Sequence, residues 1–185
     1  MSYQILANAT AKVLMDIIEQ DKIPFQVTHL AKLIDDLSLR NQVVTIFGNG
    51  GSAADAQHFA TELVCSYCNK DRKPFKALAL TTDSSIITAW SNDFNFEGIF
   101  SRQIEALNNS IGLAVGLSTS GNSVNVINGL KKAKELGIAN CLICGSNYQE
   151  KSFIDFVIKI PSSNTAIVQT VTQVIYHSIC EELEK

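Results

Sequence analysis

The stretch VVTIFGNGGSAADAQHFATE, residues 43–62, decides how this chain folds. It opens with a continuous apolar run, typical of a strand buried on both faces, passes through a glycine loop and continues with apolar residues at helical spacing. A second unit of the same kind starts at residue 113 and runs through Ser118-Thr119-Ser120-Gly121-Asn122-Ser123 into another helical pattern. Because the first amides of a helix have no intrahelical partner, a strand, a polar loop and a helix in this order favour phosphate binding.

Apolar runs and helical patterns alternate along the rest of the chain. The runs that predict strands are 43–47, 77–80, 113–117, 141–144 and 156–160. Helical spacing covers 52–66, 83–91 joined to 97–107, 123–137 and 165–182, and also 2–20 and 24–40, with Pro24 as the predicted break between the last two. The repeated strand–helix order predicts a five-stranded parallel sheet flanked by helices, an α/β fold with an N-terminal helical hairpin. We expect one domain over 1–185, with the hairpin in 1–40 and the α/β core and C-terminal helix in 41–185.

Composition and charge exclude several classes of protein. The chain has 185 residues, of which 46% are hydrophobic, and its formal net charge is −3. That apolar fraction supplies a full core and does not fit a disordered chain. Since no stripe of lysine and arginine stands out and no apolar run could span a bilayer, we expect neither direct nucleic-acid binding nor membrane insertion. The first residues lack the basic and apolar segments of an export signal, so the expected location is the cytoplasm.

Five cysteines include two CxxC pairs, Cys65/Cys68 and Cys141/Cys144. Paired CxxC motifs can form a zinc ribbon, but usually with about 15–20 residues between the pairs, and here the gap is far longer. Cys141 and Cys144 also lie in a predicted strand, where residues three apart point to opposite faces. Buried thiols in a reducing compartment are therefore favoured over a structural zinc site, and Cys180 is interpreted in the same way.

The loop 118–123 supplies four hydroxyls, one carboxamide and a flexible glycine. Hydroxyls and helix amides can hold a phosphate without a positive charge, and the helix dipole adds to this preference. The alternative is a simple helix cap and turn, where serine, asparagine and glycine are common in any case. The glycine loop after the first strand favours the phosphate site, because open α/β sheets bind ligands at the carboxyl ends of their strands.

The helix after the glycine loop carries an imidazole and a carboxylate on one face. His58 and Glu62 are four residues apart, so their side chains lie one above the other. Ser52 and Asp55 fit the capping-box pattern [ST]-x-x-[DE], which predicts Ser52 as the N-cap. The alternative for His58 and Glu62 is an exposed ion pair, which contributes about 0.3–0.5 kcal/mol. Their expected position beside the two ligand loops favours a catalytic role.

These residues resemble the sugar isomerase (SIS) domain and, within it, the phosphoheptose isomerase family. The resemblance rests on GNGGSAADAQHFATEL at 48–63 and LSTSGNS at 117–123, with shorter matches at 81–83, 91–94 and 100–103. It covers nearly the whole chain and implies the three-layer SIS fold. It also implies that the N-terminal hairpin serves as oligomer surface as much as lid, in a homotetramer whose active sites lie at subunit interfaces.

The resemblance assigns roles to particular residues. It implies Glu62 as the catalytic base and His177 as the acid/base partner. It implies one zinc ion per subunit, held by His58, Glu62, Gln169 and His177. The substrate-binding residues that it implies are Asn49, Gly50, Gly51, Ser52, Glu62, Asn92, Asp93, Ser118, Thr119, Ser120, Ser123 and Gln169.

The chain departs from the family pattern at two places. The family usually has Gly-Arg-aromatic after the catalytic helix, where this chain has CSY at 65–67. It tends to have Arg-Ile-Gln-Glu near the C-terminal glutamine, where this chain has IVQT at 167–170. Ser66 and Ile167 thus replace two arginines and Thr170 replaces a glutamate. The alternatives that follow are weaker activity, another choice of substrate or a repurposed paralogue.

The predicted metal ligands also set a geometric condition. Gln169 and His177 are eight residues apart, about 12 Å along a regular helix. Both can reach one ion only if their side chains extend toward each other. Otherwise Gln169 lies before the regular helix, or another subunit contributes.

Residues and resemblance together predict a phosphosugar ketose–aldose isomerase. The implied reaction converts sedoheptulose 7-phosphate into D-glycero-D-manno-heptose 7-phosphate, for ADP- or GDP-heptose and surface polysaccharide synthesis. The alternative is a non-catalytic SIS-domain binding protein similar to the DnaA-initiator-associating protein, which keeps the fold and departs at the metal-site positions. A sugar-phosphate-sensing module is a third possibility, and the sequence contains no DNA-binding domain that would favour it.

Overall fold

The computed structural model describes residues 2–185, which hold seven α-helices and one five-stranded sheet. In chain order the elements are α1 Tyr3–Gln20, α2 Lys22–Leu39, β1 Val43–Gly48, α3 Gly51–Val64, β2 Ala77–Ala79, α4 Ser84–Asp93, α5 Ile99–Leu107, β3 Ile111–Ser118, α6 Val124–Glu135, β4 Ala139–Cys144, β5 Phe156–Lys159 and α7 Thr165–Leu183. Short 3-10 turns at Phe96–Gly98 and Asn108–Ser110 flank α5. Over residues 2–185, no helix combines the length and the apolarity needed to cross a membrane.

All strands of the sheet are parallel, in the order β2-β1-β3-β4-β5. The central strand β3 is buried along its whole length, because neighbours cover its edges and helices cover its faces. In this strand order the switch point, beside which open α/β sheets bind ligands at the carboxyl ends of their strands, lies between β1 and β3. The α/β fold class, the parallel sheet and the N-terminal helical pair predicted from the sequence are confirmed.

Two apolar cores lie on opposite faces of the sheet. Ile46 of β1 belongs to the core under α2, α3 and α7, whereas the next residue, Phe47, points into the core under α5 and α6. Both side chains are fully buried, and successive strand residues alternate between the two faces. Because α3 and α7 pack side by side on one face, residues far apart in the sequence meet between them.

The break between the two N-terminal helices lies at Asp21, and the prediction that Pro24 separates them is wrong. Asp21 has a left-handed backbone with a φ of 52°, which ends α1. Helix α2 begins directly afterwards, at Lys22, with Pro24 in its first turn. Proline is tolerated there because the first amides of a helix have no intrahelical hydrogen bond to lose.

Candidate functional site

Two loops meet at the carboxyl edge of the sheet. Gly48 at the end of β1 pairs with Leu117 near the end of β3, so the loops that follow these strands are neighbours. Asn49 and Asn125 join the loops, because the carboxamide of each donates to the other over 2.8 Å. Asn125 is buried, and sequence reasoning missed it because nothing in its local pattern distinguishes it from an asparagine on a helix surface. This pair fixes the glycine loop against the start of α6.

The loop 118–123 turns its hydroxyls toward one another. Ser118 donates to Ser123 over 3.0 Å and lies 3.5 Å from Ser120, whose hydroxyl accepts from the Asn122 amide over 3.1 Å. Ser123 is the N-cap of α6, yet among the described residues its side chain finds no capping partner in that helix. Ser120 thus forms a turn within the loop, as the cap-and-turn alternative predicts, whereas the side-chain cap of that alternative is absent. Three hydroxyls converge beside the first amides of α6, an arrangement that suits the oxygens of a phosphate.

The loop closes against the segment that joins β4 to β5. Gly121 has a φ of 70°, in the left-handed region, and a Cβ at this position would lie 2.5 Å from that of Tyr148. The same segment carries Lys151, whose ammonium group donates to the Asn122 carboxamide over 3.4 Å. Lys151 thus places a positive charge beside the loop 118–123, the predicted phosphate loop. Sequence reasoning did not single it out, because it lies far along the chain in an irregular segment.

Helix α3 does not begin with the predicted capping box, so that prediction is wrong. Its N-cap is Gly50, with a φ of 56°, and Ser52 lies inside the helix. Asp55 instead faces α7, where its carboxylate accepts from Gln173 over 3.3 Å. Burial raises the pKa of Asp55, while the hydrogen bond from Gln173 and the nearby His58 oppose that rise. Gly50, with its positive φ, provides the start of the helix. Asp55 is therefore not needed at the cap and joins α3 to α7 instead.

His58, Glu62 and His177 form a cluster between α3 and α7, which we call the His–Glu corner. Nε2 of His58 lies 3.0 Å from Oε1 of Glu62, and the ring centres of His58 and His177 are 5.1 Å apart. One possible ligand atom from each of the three residues lies within 4.8 Å of the other two. The Glu62 side chain is 18% exposed and the His58 side chain 43%, so the pair is shielded on the Glu62 side and open to solvent on the His58 side. Two imidazoles and a carboxylate in this arrangement suit proton transfer or a divalent metal.

The surroundings of His177 favour its neutral form. Burial lowers the pKa of His177, the imidazole of His58 lowers it further, and Glu62 opposes both effects. The ring of Tyr67 is stacked on His177 at a centre distance of 5.5 Å and covers one side of it. A neutral imidazole can accept a proton or bind a metal, which are the two roles that the corner suggests.

A buried ion pair behind the corner joins the ends of α3 and α7. Arg72 and Glu184 are joined over 2.8 Å, with side chains only 9% and 7% exposed, and Arg72 also donates to the backbone carbonyl of Glu62. The Glu184 carboxylate further accepts, over 2.8–2.9 Å, from the backbone amides of Tyr67, Cys68 and Asn69. Burial by itself raises the pKa of Glu184, but the hydrogen bonds from Asn69, Arg72, Tyr67 and Cys68 outweigh it and lower the pKa to about 2. We call this pair the Arg–Glu clamp; sequence reasoning missed it because its partners are 112 residues apart.

Gln169 lies away from the His–Glu corner within one chain. It sits inside the regular helix α7, just over two turns before His177, so the option that it precedes the regular helix is wrong. Its carboxamide packs against Gly51, where a Cβ would collide with it. Gly51 begins α3, whereas His58 lies seven residues further along that helix, about 10 Å at 1.5 Å per residue. The chain therefore brings three of the four predicted metal ligands together and leaves the fourth beside the glycine loop.

Asn92 and Asp93 lie at the exposed end of α4. Their side chains hydrogen-bond to each other over 2.8 Å. Within the described chain, α4 has no buried residue, and Phe94 just after it is 66% exposed. These two predicted substrate residues thus lie on a surface that the chain itself leaves open.

The cysteines divide into two groups. Cys65 and Cys68 are exposed, so the prediction of buried thiols is wrong for this pair, whereas Cys141 and Cys144 are buried in β4 and Cys180 is buried in α7. Burial raises the pKa of each buried thiol to about 12. Metal binding and nucleophilic attack need the thiolate, so these buried thiols behave as small apolar side chains.

Comparisons with known proteins agree on one family. The model of the SIS domain matches residues 7–141. The phosphoheptose isomerase of Aquifex aeolicus is 45% identical over 161 residues, 86% of this chain and 84% of that protein. Phosphoheptose isomerase 1 of Campylobacter jejuni is 41% identical over 161 residues, 86% of each chain. The solved structure of the phosphoheptose isomerase from Neisseria gonorrhoeae superposes with a TM-score of 0.82 at 33% identity, over 98% of this chain and 97% of that one.

Proposed function

The chain belongs to the SIS-domain family and, within it, to the phosphoheptose isomerases, and we propose that it converts sedoheptulose 7-phosphate into D-glycero-D-manno-heptose 7-phosphate. One observation carries the proposal: the shielded Glu62 carboxylate, 3.0 Å from the His58 ring and close to His177. The product would serve ADP- or GDP-heptose formation for a surface polysaccharide such as lipopolysaccharide. We propose the cytoplasm as the location of this reaction.

Ketose–aldose isomerisation needs a base at carbon and a proton carrier at oxygen. Glu62 takes a proton from C1 of the ketose and returns it to C2, so one C–H bond breaks and another forms. His177 carries a proton from O1 to O2, which moves the carbonyl from C2 to C1. The lowered pKa of His177 suits this step, because a neutral imidazole can accept the first proton.

We propose zinc as the metal of the His–Glu corner, held by His58, Glu62 and His177. The donor set fits, because imidazole nitrogen and carboxylate oxygen are usual zinc ligands and the three donor atoms are already gathered. When bound, zinc supplies a Lewis acid that stabilises negative charge on the sugar oxygens. Gln169 stays a predicted fourth ligand, which would have to reach the corner from the start of α3.

The phosphate of the sugar is proposed to bind in the loop 118–123, through Ser118, Thr119, Ser120 and Ser123. The glycine loop of Asn49, Gly50, Gly51 and Ser52 forms the neighbouring wall. Hydroxyls that hold the far end of the substrate fix the position of C1 and C2, so remote binding energy is converted into orientation at the reacting carbons.

A homotetramer with active sites at subunit interfaces completes the proposal. Within one chain the His–Glu corner begins about 10 Å along α3 from the glycine loop. The open surface around α4, with Asn92, Asp93 and the exposed Phe94, offers an area for another subunit to cover. A second protomer would then bring the remaining substrate contacts to the corner.

The rival function is a non-catalytic binding protein similar to the DnaA-initiator-associating protein. A protein that only binds has no need of a carboxylate shielded between two imidazoles. The chain keeps His58, Glu62 and His177 together, so the catalytic function is the better supported of the two.

The test is incubation of the purified protein with sedoheptulose 7-phosphate, with and without a chelator, followed by product analysis. We expect conversion to the aldoheptose phosphate that the chelator removes and added zinc restores. Conversion that survives the chelator would refute the zinc proposal, and absence of conversion in zinc-loaded protein would refute the isomerase.

A further inference from the structure

Tyr176 is a buried tyrosine whose hydroxyl reaches the His–Glu corner. Tyr176 is fully buried, and its ring is stacked on Phe59 at a centre distance of 5.3 Å and an interplanar angle of 16°. The hydroxyl oxygen lies 2.8 Å from Nδ1 of His58. Packing on one side and a hydrogen bond on the other leave this ring little freedom to move.

The hydrogen bond determines which nitrogen of His58 faces the carboxylate. Nε2 lies 3.0 Å from Oε1 of Glu62, and an ionised carboxylate can only accept a hydrogen bond. In the neutral ring, Nε2 therefore carries the proton, and Nδ1 accepts from the Tyr176 hydroxyl. A tyrosine hydroxyl can also accept, so the same contact survives when Nε2 gives up its proton to bind a metal and Nδ1 carries it instead.

Helix geometry explains why one residue can do this. Tyr176 and His177 are consecutive in α7, and both rings meet the His58 ring edge-on, at interplanar angles of 71° and 74°. Helix α7 thus places the Tyr176 ring where its hydroxyl bonds to His58, and places the His177 ring beside His58 as well. Without a hydroxyl at position 176, the His58 ring would lose its hydrogen bond at Nδ1. Because 43% of the His58 side chain is open to solvent, the ring would then be less firmly held in one orientation.

We infer that Tyr176 is a positioning residue of the corner, whose hydroxyl holds His58 so that Nε2 points at Glu62 and at the proposed metal. The inference rests on the proposed function only for its effect on zinc binding and turnover. Its effect on the His58 ring applies to the metal-free protein and is tested separately. Partners that orient metal-bound histidines in this way typically change metal affinity by about 10–100-fold when removed.

The experiment compares the full-length protein with Tyr176→Phe, which keeps the stacking on Phe59 and removes only the hydroxyl. Tyr67→Phe is the matched control, because it removes a hydroxyl from the ring stacked on His177. Nuclear Overhauser spectra of metal-free protein report the orientation of the His58 ring, through the contacts of its ring protons with neighbouring side chains. Competition with a chelator gives the zinc dissociation constant.

We expect wild type and Tyr67→Phe to show the His58 ring in one orientation, and Tyr176→Phe to show contacts from more than one ring orientation. We also expect zinc to dissociate about 10–100-fold more readily from Tyr176→Phe than from the control. An unchanged His58 spectrum in Tyr176→Phe overturns the inference, whatever happens to zinc affinity or thermal stability. If wild type fails to bind zinc, the proposed metal is refuted while the spectra still decide the role of Tyr176.

Discussion

The phosphate loop and the His–Glu corner are built in opposite ways. The serines of loop 118–123 bond to partners at most five residues away. The corner depends on contacts between α3 and α7, where His58 and Tyr176 are 118 residues apart, and on the Arg–Glu clamp behind it. The six loop residues thus arrange their own hydroxyls, although the loop also packs against the segment after β4, whereas the corner depends on the packing of α3 on α7.

The substitution Glu62→Gln should distinguish most clearly between the contributions of the two regions to turnover and to binding. The amide keeps the size of the carboxylate but cannot take a proton from C1, so we expect turnover to fall by at least about 10²–10⁴-fold. Binding of the phosphate end should not change, because the loop 118–123 makes no contact that depends on Glu62. Steady-state assays with sedoheptulose 7-phosphate, combined with calorimetric titration of the substrate, measure both quantities. Similar rates in the two proteins would contradict the role of Glu62 as base.

The Arg–Glu clamp tests whether the corner depends on long-range contacts. Arg72→Ala removes the ion-pair partner of the buried Glu184 carboxylate, which keeps its three backbone hydrogen bonds. Losing a buried partner typically costs about 3–5 kcal/mol in the free energy of unfolding, so we expect a loss near the lower end of that range. Lys132→Ala is the control, because it breaks an exposed ion pair with Glu135 and should leave stability within error. Urea denaturation of the three proteins measures the difference. Equal losses in both variants would show that the clamp contributes no more than a surface pair.

The same clamp predicts a loss of stability in acid. The folded protein holds the pKa of Glu184 at about 2, below its ordinary value of 4.5, so the unfolded chain binds more protons between these values. The stabilisation is therefore present above about pH 4.5 and is lost as the pH falls toward 2. Unfolding midpoints measured across this range should drop less steeply in Glu184→Gln than in wild type. Parallel curves for the two proteins would speak against this source of acid sensitivity.

Ser120→Ala is expected to give the smallest effect, confined to the phosphate loop. Ser120 is exposed, so its loss should leave the free energy of unfolding almost unchanged. A hydrogen bond to a charged group contributes about 1.5–3 kcal/mol, so KM should rise by roughly 10–100-fold while kcat changes less. Kinetics with the sugar phosphate measure this split. A fall in kcat at constant KM would place Ser120 at the reacting carbons instead.

The sequence predicts the sheet well, because strands buried on both faces leave a continuous apolar signal. The predicted strand at 43–47 becomes Val43–Gly48, and the predicted last helix at 165–182 becomes Thr165–Leu183. Errors arise where two local rules compete. Pro24 predicts a helix break, yet proline also fits the first turn of a helix. Ser52 and Asp55 match a capping box, although Gly50 is the N-cap of the helix.

The candidate site is only partly predictable for a different reason. His58 and Glu62 share one helix face, so their spacing alone brings them together, and His177 was added by family resemblance. Arg72 and Glu184 carry no local signal, because an arginine in a loop and a glutamate near a chain end look like surface residues. Only the packing of α3 on α7 brings them together and buries them.

The central claim is that the phosphate loop and the His–Glu corner act on the same sugar. A crystal structure of Glu62→Gln with sedoheptulose 7-phosphate tests this directly, because the variant should bind the substrate without converting it. We expect a phosphate among Ser118, Ser120 and Ser123, with C1 and C2 beside position 62 and His177 of the same or a neighbouring subunit. A phosphate bound in that loop with C1 and C2 remote from every copy of position 62 in the assembly would contradict it.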